Sequence, residues 1–235
     1  MAKRKRSKKF VNEECVYCSA AADTSDHVPP QGIFGEPKKE ALLEVPCCTS
    51  CNSGFSKDDE YFRTVLTMID GVEQNADAAQ VLETVGRSFD KPKKKGFTRS
   101  FIKTLEILPQ TTHSGLFIGM APSFIFDKTR ILATAERIVK ALHWIEKGTR
   151  IPEGFDVTAY WWLDFKDNVK PPSQQLRNLA GYVNDKSSKV VGNEVFRYWA
   201  SFLADEFPIA DAGQSVWLLR FYGMIDILCI VDKER

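Results

Sequence analysis

Four cysteines in two close pairs, Cys15-Val16-Tyr17-Cys18 and Cys48-Thr49-Ser50-Cys51, carry the strongest chemical signal in this chain. Each pair closes a short chelate loop, and four thiolates from two such loops can surround one tetrahedral Zn²⁺ ion. The 29 residues between the pairs exceed the spacing of a compact zinc ribbon, so the intervening chain must form structure of its own. Cys48 gives the two-residue gap to Cys51 and Cys47 gives three, which makes Cys48 the ligand and Cys47 a neighbouring thiol. Cys229 sits in an apolar strand pattern and belongs to the core.

A second polar set lies inside and beside the cysteines: Asp26-His27-Val28-Pro29-Pro30, and Asn52 directly after Cys51. His27 has two readings, a ligand in a three-cysteine zinc site or a general base that titrates near neutral pH. Asp26 offers a hard carboxylate and Asn52 a neutral oxygen. Mg²⁺ takes a few hard oxygens and keeps several waters, so one Asp, one Asn and a phosphate oxygen make a fitting set. Adjacent strand residues point to opposite faces, so Asp26 and His27 converge only if the chain bends there.

The order CxxC, Asp-His-Val-x-Pro, CxxC-Asn resembles the zinc-containing branch of the HNH (ββα-metal) endonucleases. The resemblance covers roughly residues 12–65. It implies that Cys15, Cys18, Cys48 and Cys51 bind structural zinc. It implies further that Asp26 and Asn52 hold a catalytic Mg²⁺ or Mn²⁺ ion and that His27 activates water. The implied reaction is hydrolysis of DNA phosphodiester bonds, with RNA as an alternative substrate, leaving 5′-phosphates. A homodimer is also implied, because clean cutting by such nucleases often uses two sites. The sequence departs from the simplest family pattern in one respect: no histidine follows Asn52 within the next helical turns, where Lys57 and Asp59 stand instead.

The elements that position these groups are readable around them. Residues 10–52 predict a metal-organised knuckle with two brief strands. After Asn52, Ser56 reads as a helix cap, and Phe62, Val65, Leu66 and Ile69 form one apolar helical face that stops near Gly71. Asn75 or Asp77 caps a second helix through about Val85. Residues 86–100, with Lys91-Pro92-Lys93-Lys94-Lys95-Gly96, read as a basic flexible linker. Residues 101–126 predict short strands. Asp127 caps the clearest helix, with Ile131, Ala135, Ile138, Leu142 and Ile145 as its stripe and Gly148 as its end. Strands follow at 155–165, 195–203 and 215–231, with Gly223 at a turn, and a short helix at 171–183. His143 and the five tryptophans read as core. The expected fold is thus α+β. A zinc-stapled ββα-metal module over 10–85 and the linker lead into an α+β body over 101–235, with an antiparallel sheet and one long helix.

Six of the first nine residues are Lys or Arg, which predicts a disordered basic tail over 1–9 that attracts phosphate. Removing those six from the 32 basic residues leaves 26 against 31 acidic ones, so the body carries about −5 and is no strongly basic surface. No segment reads as a signal peptide, no apolar run reaches a membrane span, and paired free cysteines suit a reducing compartment, so a cytoplasmic protein without membrane contact is expected. The rival reading is a non-catalytic zinc module that binds nucleic acid or protein. A third is a nuclease effector whose second half senses a regulatory protein partner.

Overall fold

The structure, a computed structural model, describes residues 10, 12–36, 42–112, 114–161 and 174–234; the expected tail over 1–9 lies outside them, as does Trp162. The chain is α+β, with antiparallel sheets and five helices among the described residues.

Near the N-terminus, β1 (Thr24–Val28) pairs antiparallel with β2 (Leu43–Cys47), and α1 (Thr49–Thr67) follows at once. Helix α1 begins earlier than the Ser56 cap predicts. Its cap is Cys48, whose sulfur accepts from the Cys51 backbone at 3.4 Å, while Asp23 Oδ1 accepts from Thr49 N at 2.6 Å. Ser56 therefore lies inside the helix. The expected apolar face holds, with Phe62, Val65 and Leu66 fully buried.

Asn75 caps α2 (Ala76–Phe89), accepting from Ala78 N at 3.1 Å. Residues 86–100 do not form the expected flexible linker. Helix α2 runs on to Phe89, a 3₁₀ turn covers Pro92–Lys94, and α3 (Lys95–Ile102) follows. Here tertiary packing overrides lysine and glycine punctuation: Phe97 stacks on Phe101, Phe89 packs on both, and Phe101 meets Phe124. A two-stranded ribbon of β3 (Leu105–Thr111) and β4 (Phe117–Phe124) comes next.

Helix α4 (Lys128–Lys147) has the expected Asp127 cap and a left-handed Gly148 at its end. It packs on a five-stranded antiparallel sheet of order β5 (Phe155–Trp161), β9 (Ile225–Lys233), β8 (Ser215–Phe221), β7 (Phe196–Phe202), β6 (Ser188–Val191). Strand β6 escaped the sequence reading. Helix α5 (Gln174–Asn184) covers the other face. Strand β8 is therefore apolar on both sides: Trp217, Leu219 and Phe221 face the main core, while Val216 and Leu218 face α5. The main core also holds Phe62 of α1, whose ring meets Phe221 edge-on at 5.3 Å, so one core joins the N-terminal unit to the sheet. Among the described residues no helix is long and apolar enough to cross a membrane.

Candidate metal centre and catalytic cleft

The first CxxC pair sits in a tight turn in which Cys15 N donates to Ala20 O and Ser19 N to Cys15 O. Val16 N donates to Pro46 O at 3.1 Å, which fastens this turn to β2 just before the second pair. The sulfurs of Cys15, Cys18, Cys48 and Cys51 consequently lie within 4.8 Å of one another. The Cys18 and Cys48 sulfurs are 3.6 Å apart, against about 3.8 Å between sulfurs of an ideal tetrahedral zinc–thiolate site. Burial and the neighbouring sulfurs push the Cys51 thiol up, whereas the Cys47 side chain and nearby backbone N–H groups pull the Cys15 thiol down to about 4. The donor set fits a structural metal such as zinc. Cys47 stands outside it, donating to the Cys48 carbonyl at 3.4 Å, and His27 is not part of the cluster.

Asp26, His27 and Asn52 all line one cleft of about 330 Å³. Its remaining walls include Ser56, Asp59, Glu60 and Arg63 from α1, Gly32, and Lys94. Asn52, Ser56, Asp59, Glu60 and Arg63 recur at three- and four-residue steps, which places them on one face of the helix. The cleft must wrap the edge of β1, since neighbouring strand residues contribute from opposite faces.

Each of the three sequence-derived residues is held by a specific partner. Asn52 Nδ2 donates to the Ser25 carbonyl at 2.7 Å, which leaves Asn52 Oδ1 as its acceptor. Tyr17 donates its hydroxyl to Asp26 Oδ2 at 2.8 Å, leaving Oδ1. Burial, reinforced by the Asp26 charge, keeps the Tyr17 phenol protonated far above its usual range. His27 Nε2 lies 3.5 Å from Glu44 Oε1, directly across the strand pair.

Behind the cleft, Arg137 of α4 pairs with Asp59 and lies over the Phe55 ring at 4.2 Å, and Phe55 packs edge-on against Tyr17. Burial raises the Asp59 carboxyl despite Arg137, and the nearby Asp26 charge raises it further. Lys94 pairs with Glu60 Oε2 at 2.5 Å. Glu60 Oε1 and Arg63 Nε are buried without a hydrogen-bond partner among the described residues. Arg63 packs on Gly32, where an added Cβ would meet its Cδ at 3.2 Å.

Sequence reasoning missed Tyr17, Glu44, Arg63 and Arg137. Only Glu44 left a local trace, the alternation of Leu43-Glu44-Val45 along a strand. Lys57 does not line the cleft, whereas Asp59 does. His143 is a buried packing residue against Phe202, and Trp161, Trp199 and Trp217 are buried in the core. No family model, no curated protein and no solved structure matches this chain.

Proposed function

We propose that this chain is a metal-dependent endonuclease of the HNH type that hydrolyses phosphodiester bonds in DNA. The observation that carries the reading is that Asp26, His27 and Asn52 share one cleft, next to a four-cysteine cluster that braces both strands and the start of α1.

The hard oxygens left over by local bonding, Asp26 Oδ1 and Asn52 Oδ1, suit Mg²⁺ or Mn²⁺. When bound there, such an ion supplies positive charge against the phosphate and the departing 3′-oxygen. His27 is the general base. Glu44, with Oε1 3.5 Å from Nε2, orients the ring, which leaves Nδ1 as the atom to face water. Arg63 and Lys94 give the cleft cationic groups for the phosphate backbone.

Nicking of supercoiled plasmid with Mg²⁺ tests this. His27→Ala should lower the rate by about 10²–10⁴-fold. Full activity in that variant would overturn the mechanism. DNA binding that is indifferent to Mg²⁺, with no cutting at all, would instead identify a non-catalytic zinc module.

A further inference from the structure

From Lys91 to Lys103 the chain carries six basic residues, Lys91, Lys93, Lys94, Lys95, Arg99 and Lys103, and no acidic one. They fall on the 3₁₀ turn Pro92–Lys94, on α3 and at the two ends of this stretch. Lys94 turns inward, where it lines the cleft and pairs with Glu60 Oε2 at 2.5 Å. The other five are exposed, and none of them has an ion-pair partner among the described residues. Lys95, Arg99 and Lys103 recur every four residues, which sets them along one ridge of α3 about 6 Å apart. Lys91 precedes them by the same step. The opposite face is anchored, because Phe97 meets Tyr61 and Phe101 meets Phe124, so the ridge is held outward.

The rest of the body is net acidic. Setting these six aside, with the six of the first nine residues, leaves 20 of the 32 basic residues against 31 acidic ones. A polyanion is therefore repelled by most of the body and attracted along this ridge. The ridge also starts at the cleft wall, since Lys94 and Lys95 are adjacent. Inside the cleft Arg63 continues the positive charge, and its buried Nε lacks a partner among the described residues. No exposed aromatic ring stands on the ridge: Phe97 and Phe101 both turn into the ring cluster with Phe89. Phosphates can be held there, but unpaired bases find nothing on which to stack.

We propose that α3 is a backbone track for double-stranded DNA, leading one strand of the duplex into the cleft. Lys91, Lys95, Arg99 and Lys103 hold phosphates outside, and Arg63 receives a phosphate inside. The step of about 6 Å along the ridge is close to the separation of neighbouring phosphates on one strand. Such contacts fix the position of the duplex without reading its bases, so binding is indifferent to sequence. The assignment rests on the nuclease reading for its direction into the cleft, yet the track is a binding property measurable without cutting.

Fluorescence anisotropy of the full chain with a labelled DNA duplex, without Mg²⁺ and from about 50 to about 200 mM NaCl, is the test. Each phosphate contact adds about 0.9 to the slope of log affinity against log salt. Lys95→Gln, Arg99→Gln and Lys103→Gln combined should lower that slope by about 2.7 and weaken binding about 100-fold, with circular dichroism unchanged. The basic residues of the first nine contribute equally to parent and variant, so the difference belongs to α3. Lys186→Gln, Lys189→Gln and Lys233→Gln, on or beside the five-stranded sheet, remove the same charge and should change the slope by less than about 0.5. The single strand of the same sequence should bind at least about 10-fold more weakly. Equal losses in the two triple variants would overturn the proposal, as would tighter binding of the single strand or no binding of the duplex. Phosphatidylserine vesicles that outcompete the duplex would overturn it equally. Plasmid nicking with Mg²⁺ judges the nuclease reading apart. A parent chain that binds through α3 and never nicks keeps the track and loses that reading. Nicking and duplex binding that are both unchanged in the α3 variant keep the reading and overturn the track.

Discussion

Tyr17 lies between two ligands of the four-cysteine cluster, yet its hydroxyl reaches out of that cluster to Asp26 Oδ2 at 2.8 Å. The cluster and the cleft are therefore one mechanical unit: the turn that presents Cys15 and Cys18 also aims the carboxylate.

Removing this hydroxyl should loosen Asp26 without disturbing the cysteines. Tyr17→Phe is expected to raise the Mg²⁺ concentration needed for half-maximal nicking by about 10-fold. Zinc stoichiometry should stay at one per chain. A Mg²⁺ titration of plasmid nicking measures the first, and a metal-indicator dye after denaturation the second.

Stripping the cluster with a thiol-reactive mercurial should melt the chain locally, because metal binding and folding are linked where the ligands are the scaffold. The melted region should include β1, β2 and the first turns of α1, whose cap is Cys48. The later half of α1 should survive, since Phe62, Val65 and Leu66 are anchored in the main core. Hydrogen exchange with peptide-level readout distinguishes the two halves.

Both predictions rest on features of which some are written locally in the sequence and some are not. The cysteine cluster was legible because chelate spacing is a local property, and α4 because Asp127, Gly148 and a buried stripe lie along one helix. The start of α1 was misjudged at Ser56 because the true cap is a cysteine, whose metal-ligand signal masks its capping role. Helix α3 was hidden by a lysine run that predicts a breaker, while the deciding contacts, Phe89, Phe97 and Phe101 with Phe124, are tertiary. Arg137 joins Asp59 across 78 positions, a distance at which no periodicity speaks.

That ion pair yields a stability prediction. Arg137 is almost fully buried, and its guanidinium answers both the Asp59 carboxylate and the Phe55 ring. Arg137→Met should destabilise the fold by about 2–3 kcal/mol in urea melts, below the range for fully buried pairs because Asp59 is partly exposed. Asp59→Asn should cost a comparable amount, since it leaves the more deeply buried Arg137 charge without a counter-ion.

The pH response should contain a separable contribution from His143. Burial first, and the Lys147 charge second, hold its pKa below the ordinary 6.5. The unfolded chain thus takes up a proton that the folded chain resists. Stability from this residue is complete above about pH 6.5 and declines as pH falls from there toward the lower folded pKa. His143→Phe should show a smaller loss of urea midpoint between about pH 7 and about pH 5 than the parent chain.

Tyr222 donates its hydroxyl to the Ile33 carbonyl at 2.7 Å, and Arg150 Nε donates to the Val16 carbonyl at 3.3 Å. With Phe221 against Phe62, these contacts tie early chain to late chain across as many as 189 positions. A ribosome delivers the first member of each pair long before the second. The cleft residues are synthesised first, but their support from the sheet arrives only once residue 222 has emerged. A fragment that holds the cleft but is cut free of the later strands would lose that support, so the cleft is not a portable module. In the growing polypeptide, the same dependence delays a fully supported cleft until β8 and Tyr222 have emerged.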